Sequence, residues 1–291
     1  MTVTVVIVNH NDGIRLRTCL RSLRDQHPAP EVVVVDNAST DGSGPSVASE
    51  FPGARWIALS ENGGFGKANN AGVRESAGDA LLFLNTDTVV PPGAVSALVA
   101  RLASGPDVAA VGPALLRPSG RFQVSFGRSV GLRGQSVQKF LLNPLHERSL
   151  PRSSRVRSVG WLSAACLLCR RRAFEAAGGF DEEFFLYFED IDLCVRLRRA
   201  GGRLLYDPAV RVVHEGGSTT APRAAESRFE YRRSQLLFYR KHRPARSAGV
   251  LLALLEAEVR RLRRRGAFRG EEGEALGRRY QKLLKGDTSR P

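Results

Sequence analysis

Cysteine, methionine and tryptophan are scarce: four, one and two among 291 residues. Cys19, Cys166, Cys169 and Cys194 lie in apolar surroundings and read as reduced core thiols, which argues against a disulfide scaffold. Cys166 and Cys169 have CxxC spacing but no second pair and no nearby histidine, and on a strand their thiols point to opposite faces, which disfavours zinc and redox chemistry. No apolar run approaches the ~20 residues that cross a bilayer. Met1 leads straight into Thr2–Val8 without a basic region or a small-residue cleavage site, so the start reads as a strand rather than a signal peptide. Zinc patterns, RNP motifs and recognition-helix patterns are missing, which leaves nucleic-acid binding without a vehicle. Acids are outnumbered, 29 Asp and Glu against 44 Lys and Arg, a formal net charge of +15. Such an excess suits an anionic partner: nucleic acid, an acidic membrane surface or a phosphorylated substrate.

What is present is an alternation of strands and helices around one organising stretch. Leu81–Leu84 is a bulky apolar run that ends in Asn85-Thr86-Asp87, and Pro91-Pro92-Gly93 stops further extension. A buried strand there delivers Asn85 and Asp87 to the rim of a sheet, where open α/β sheets bind ligands. Two readings stand: an oxygen-bearing pair for a hard cation, Mg²⁺ or Mn²⁺, shared with substrate phosphates, or an ordinary Asp/Asn turn before a helix. Val3–Val8 is another buried strand, ending in Asn9-His10-Asn11-Asp12-Gly13. A helix through Leu16, Cys19, Leu20 and Leu23 and a strand Glu31–Val35 complete a βαβ unit, so the sheet is at least partly parallel. Asp36 ends the second strand, placed for the hydroxyls of a nucleoside; Ser39, Thr40 or Asp41 is placed to cap the next helix.

The glycine-rich segment Asn62–Gly72 fits neither the dinucleotide fingerprint, because Asn69 stands at its third glycine, nor the P-loop, because Ala68 follows Lys67. Further strands are expected at Arg55–Leu59, Val108–Val111, Leu204–Tyr206 and Val210–His214. Residues 115–158, less regular and with an apolar insert Val137–Leu142, read as an acceptor-binding insertion. Phe184–Phe188 leads into Glu189, Asp190 and Asp192 at the start of an amphipathic helix. Acids there complement the helix dipole, yet three within four positions repel, and beside apolar rings one acquires the raised pKa of a general base. His214, at a strand end like Asp87, is either a hydrogen-bonded structural residue or a metal ligand.

These motifs, in this order, resemble inverting family 2 glycosyltransferases over about residues 3–220. Val6–Asn11 resembles the opening strand and its nucleotide turn, and Val35–Gly42 the base-and-ribose segment. Asn62–Gly72 resembles the subgroup that includes bacterial rhamnosyltransferases. Asn85-Thr86-Asp87 stands in for the DxD metal motif, Phe188–Arg196 for the catalytic-base segment, and Val213–Gly217 for the loop carrying a metal-binding histidine. The resemblance implies an α/β GT-A fold, with a Rossmann-like, mostly parallel central sheet flanked by helices. It implies a catalytic domain at 1–222 and a basic helical extension at 223–291. It implies Asp190 as base, Asp87 and His214 as ligands of Mg²⁺ or Mn²⁺, and Asn9, His10, Asp36, Asn62, Lys67 and Asn85 around the nucleotide. Trp161, Glu189 and Asp192 fall to the sugar or acceptor. The donor implied is dTDP-rhamnose, with UDP-sugars next, and the acceptor a saccharide or lipid-linked hydroxyl. Two departures stand out: Asn85 replaces the first acid of DxD, and Gly160 precedes Trp161 where the subgroup often has an acid.

Beyond Pro222, a helix through Phe229–Tyr239 is followed by Val250–Leu255 and an arginine run Arg260–Arg265. This combination reads as an amphipathic helix on an anionic membrane, or as a solvated or oligomer-forming helix; the tail after Gly266 is expected to fray. The expected location is the cytoplasm or its membrane face. Rival readings are a non-catalytic sugar-nucleotide binder, suggested by Asn85, and a basic nucleic-acid-binding protein.

Overall fold

The computed structural model describes residues 1–128, 155–216 and 224–289. The apolar insert at 137–142 and the polar loop after Gly216 lie outside those residues. Strands β1 (Val3–Asn9), β2 (Glu31–Asp36), β3 (Arg55–Ala58) and β4 (Ala80–Asn85) are parallel and ordered β3–β2–β1–β4. The sheet continues through β11 (Cys166–Arg170), antiparallel to its neighbours β4 and β6 (Val108–Leu116), and then β12 (Arg203–His214), parallel to β6. Short β5 (Thr88–Val89) closes the far edge against β12, and β7 (Phe122–Gln123) and β9 (Arg157–Val159) pair β6 and β12. A separate pair joins β8 (Phe126–Gly127) to β10 (Trp161–Leu162).

The β-branched runs form central strands because both faces are covered. Val3, Val5 and Ile7 of β1 enter a core with Leu16, Cys19, Leu20 and Leu23 of α1 (Gly13–Leu23) and Leu98 of α4 (Ala94–Leu102). Val6, one residue out of phase, enters the opposite core with Phe83, Ala68 of α3 (Phe65–Arg74), Phe174 of α5 (Arg171–Ala176) and Leu193 of α6 (Glu189–Arg199). The same alternation separates the CxxC thiols: Cys166 lies in the first core and Cys169 in the second. All four cysteines are free and buried, and burial pushes the Cys169 thiol up to about 12. From β1 the chain builds β2 and β3 on one side, with α2 (Ser43–Glu50) between them, and then returns to β4 on the other. In open α/β sheets such a reversal marks the carboxyl ends of the two strands, here β1 and β4, as the place for a ligand.

Two expectations change. Leu204–Tyr206 and Val210–His214 are one strand, β12, whose register against β6 shifts between Asp207 and Arg211. Pro208 has no amide hydrogen to donate, so the ladder skips there instead of ending. The tail after Gly266 does not simply fray: α9 (Gly270–Leu284) buries Leu276, Tyr280 and Leu283, spaced at four and three residues along one helical face.

The chain divides into two compact units, Met1–Glu182 with Glu189–Thr219, and Glu183–Phe188 with Thr220–Pro291. In the second, α7 (Ala224–His242), α8 (Ala245–Arg264) and α9 pack together. Buried Arg233 joins Glu230 at 2.9 Å and donates to the carbonyls of Glu183 and Thr288. Ser234 donates to the Leu186 carbonyl, and Tyr231 packs on Tyr187 and Phe188, two non-glycine residues with φ of 70° and 68°.

The close approach of α3 to the sheet depends on Gly72, where a Cβ would lie 2.5 Å from Val6 Cγ1 and 3.0 Å from Val35 Cγ2. Gly72→Ala should therefore destabilise the protein by about 1–3 kcal/mol through overpacking. Chemical denaturation measures this, and an unchanged midpoint would show that the helix–sheet contact is looser than described.

Candidate functional site

The rim at the strand ends is lined by polar side chains that follow the apolar runs. At the end of β1, Asn9 is fully buried and its amide reaches Asp36 Oδ1 (2.9 Å), Ser39 Oγ (3.1 Å) and Ser43 Oγ (3.2 Å). Ser39 also donates to Asp36 Oδ1 at 2.5 Å. Asn9 thus orients Asp36, which keeps partial exposure at the rim of β2. The His10 ring, through Nδ1–H, donates to the Asn37 carbonyl at 2.9 Å. Asn37 and Asn62 lock together at 2.9 Å and accept the Gly63 and Gly64 amides. The glycine-rich segment is therefore pinned to the end of β2. Lys67 pairs with Glu61 at 2.9 Å.

The turn after β4 meets the end of β12. Asp87 Oδ1 lies 3.1 Å from His214 Nε2, and Asn85 Nδ2 lies 3.3 Å from the same nitrogen. His214 Nδ1 is 2.8 Å from Gln123 Oε1, an oxygen that only accepts, so Nδ1 carries a hydrogen. In the neutral ring Nε2 then carries a lone pair that can accept from the Asn85 amide, with the Asp87 carboxylate beside it. A shared cation would satisfy Nε2 and the carboxylate together. Asp87 Oδ2 also accepts from the Gly216 amide at 3.0 Å. Among the described residues no three His, Cys, Asp or Glu side chains converge as a metal group. A cation here would complete its shell with phosphate oxygens and water, which suits a hard divalent ion and one oriented imidazole.

This pair is enclosed by a ring that begins at Asp12. Asp12 is buried, accepts from Thr86 Oγ1 at 2.7 Å and pairs with Arg15 at 2.8 Å. Arg15 reaches Glu215 at 2.6 Å, and the Glu215 amide donates back to the Asp87 carbonyl at 3.0 Å. The ring fastens the residue after His214 to the residues around Asp87. Gln123 and Arg15 carry no local signal in the sequence; Asp12, Thr86 and Glu215 fall inside the strand-end motifs there without a role of their own.

Asp190, in the first turn of α6, reaches the same rim by a different route. Its Oδ2 accepts from the Ala164 amide at 3.1 Å, and the next residue, Ala165, accepts from the Asn85 amide at 3.1 Å. The carboxylate is thus tied to the segment that abuts the end of β4. Burial pushes the Asp190 pKa up to about 6, against the lowering effect of the Ala164 and Ile191 amides. Burial, and then the charge of Asp190, pushes Glu189 well above the ordinary carboxylate range. Glu189 Oε2 finds no hydrogen-bond partner among the described residues. Asp192 points inward, almost fully buried, and pairs with Arg196 at 2.6 Å, which places it in the helix packing rather than at the rim.

Trp161 stands on β10 opposite Gly127, and its indole N–H finds no acceptor among the described residues. The glycine before it has a steric cause. A Cβ at Gly160 would lie 1.7 Å from the Arg128 carbonyl oxygen, so no acidic side chain fits without moving that strand pair.

Known proteins resemble this chain in sequence and in fold. The family model described as Glycosyl transferase family 2 matches residues 4–178. The N-acetylglucosaminyl-diphospho-decaprenol L-rhamnosyltransferase of Mycobacterium tuberculosis is 33% identical over 254 residues, 80% of this chain and 82% of that one. The rhamnosyltransferase WbbL of Escherichia coli is 27% identical over 73% of this chain and 83% of its own. Among solved structures, the mannosyltransferase PcManGT of Pyrobaculum calidifontis, in complex with GDP-Man and Mn²⁺, gives a TM-score of 0.58 at 18% identity, covering 97% of this chain and 84% of that one. GalNAc-T7, with UDP, GalNAc and Mn²⁺, gives 0.58 at 18% identity over 80% and 47%. The solved structures establish the GT-A fold; the sequence matches establish the lineage. The chain belongs to glycosyltransferase family 2 and is a glycosyltransferase.

Proposed function

We propose that this enzyme moves L-rhamnose from dTDP-rhamnose to a hydroxyl of a saccharide or lipid-linked acceptor, with inversion at the anomeric carbon. The observation that carries the reading is the meeting of Asp87, Asn85 and His214 at one rim, with the Asp190 carboxylate tied through Ala164 and Ala165 to the same strand end. The similarity to rhamnosyltransferases over most of the chain supports the donor sugar, and a decaprenol-linked substrate in the name of one relative supports a lipid-linked acceptor. The working location is the cytoplasm, at the inner membrane face for such an acceptor. Residues 1–222 are proposed as the catalytic domain and 223–291 as its basic extension.

Asp87 and His214 would hold Mg²⁺ or Mn²⁺, with Gln123 fixing the imidazole so that Nε2 is free to bind. When bound, the cation supplies Lewis-acid neutralisation of charge growing on the diphosphate. Asp36, His10, Asn62 and Asn85 border the nucleotide, with Asn9 setting Asp36 and Lys67 at the outer edge. Trp161 walls the sugar. Asp190 takes the proton from the attacking hydroxyl as the new glycosidic bond forms and the bond to the diphosphate breaks. Burial and the Asp190 charge push the Glu189 carboxyl up, which favours its neutral form beside Asp190. Asp192 holds the first turn of the helix that presents Asp190.

Three outcomes are expected. With purified enzyme, dTDP-rhamnose and a lipid-linked saccharide, Asp190→Asn should lower transfer by about 10²–10⁴-fold while leaving dTDP binding unchanged. Lost nucleotide binding in a folded variant would overturn the base assignment, and transfer from UDP-sugars alone would overturn the donor. The maximal rate should rise with pH and level off above about 6, as Asp190 sheds its proton; a flat profile over that range would count against it. Gln123→Leu should weaken Mn²⁺ binding roughly 10–100-fold, read by Mn²⁺ electron paramagnetic resonance with dTDP present. Unchanged affinity would separate Gln123 from the cation site.

A further inference from the structure

We propose that the outward face of α8 docks on an anionic lipid surface. The helix is apolar on two sides. Ala248, Leu251, Leu255 and Val259 are buried. On the opposite side, Val250 and Leu254 are 50% and 58% exposed, with Ala253 and Ala257 exposed beside them. At about 100° per residue, Arg246, Arg261 and Arg264 fall on the same face as that stripe, at its two ends. The acids of the helix lie off it: Glu258 pairs with Arg232 at 2.7 Å, and Glu256 lies 3.6 Å from Arg260. Residues 223–291 carry 19 Lys and Arg against 8 Asp and Glu, so most of the chain's positive excess is in this part.

A solvated helix is polar on its outer face, and this one is not. A second copy meeting it about a twofold axis would bring arginine ends together, because such an interface pairs the same patch with itself. Nucleic acid would satisfy the arginines but set Val250 and Leu254 against phosphate. A lipid surface matches both features: the apolar stripe enters the headgroup–acyl boundary while the arginine stems lie along it and their guanidinium groups reach lipid phosphates. None of the described helices is long and apolar enough to cross a membrane, so α8 would lie on the surface. The inference rests on the second unit alone and not on the donor or the chemistry of the first.

Co-sedimentation of the full chain with phosphatidylcholine vesicles, with and without phosphatidylglycerol, tests it. The wild type should sediment with the anionic vesicles and be released by salt. Val250→Ser with Leu254→Ser, and separately Arg261→Gln with Arg264→Gln, should each lower the bound fraction by roughly tenfold or more. Both pairs should leave the melting temperature and transfer to a soluble acceptor unchanged. A wild type that stays in the supernatant would overturn the proposal. So would undiminished binding by the serine pair, which would mean attraction to polyanions in general. A concentration-dependent dimer abolished by the serine pair would also overturn it, making the face a contact between copies.

Discussion

The arrangement at the rim depends on one buried charge. Asp12 lies almost out of solvent, where an unpaired carboxylate would be costly, and it is satisfied by Thr86 and Arg15. Those two partners commit the neighbourhood. Thr86 belongs to the turn that carries Asp87, and Arg15 reaches Glu215, next to His214. Backbone hydrogen bonds from Glu215 and Gly216 back to Asp87 close the ring. A carboxylate and an imidazole from strands far apart in sequence are thereby held within 3.1 Å. Asp12 touches neither ring nitrogen, yet the placement of both groups follows from satisfying it.

The ends of β1 and β2 are fixed in the same way. Asn9 spends its amide on Asp36, Ser39 and Ser43, and Asn37 and Asn62 tie the glycine-rich segment to the end of β2. The Asn9 side-chain nitrogen holds Asp36 at the rim in a set orientation, while Asn37 and Asn62 act on one another. Asp190 differs in kind: burial raises its pKa while two backbone amides keep an anion tolerable there. The balance leaves the Asp190 carboxyl pushed up to about 6.

Much of this was legible in the sequence because apolar runs that stop at Asn, Asp or His mark strand ends, and parallel strands gather their ends on one rim. Asn9, Asp36, Asp87 and His214 all carried that local signal. Asp190 and Asp192 were marked instead by an aromatic run leading into a helix start, and helical spacing turns the Asp192 side chain inward to Arg196. What stayed hidden depends on long-range register. Gln123 matters only because two-residue β7 pairs with the end of β6 and brings it beside β12. Arg15 looks like one of several solvated arginines on α1 until Glu215, two hundred positions later, comes to meet it. Gly160 reads as a departure from a family pattern, and only the Arg128 carbonyl beside it supplies the reason. The helix at Gly270–Leu284 was obscured by the charges between its three anchors.

The most direct test of the rim is calorimetric titration of dTDP, UDP and GDP into the enzyme, with and without Mn²⁺, in the wild type and in Asp87→Ala. Selective binding of dTDP that strengthens with Mn²⁺ and loses that dependence in Asp87→Ala is the expected result. Equal binding of all three nucleotides, indifferent to Mn²⁺ and to the substitution, would contradict the assignment of Asp87 and His214 as the seat of a cation shared with a nucleoside diphosphate.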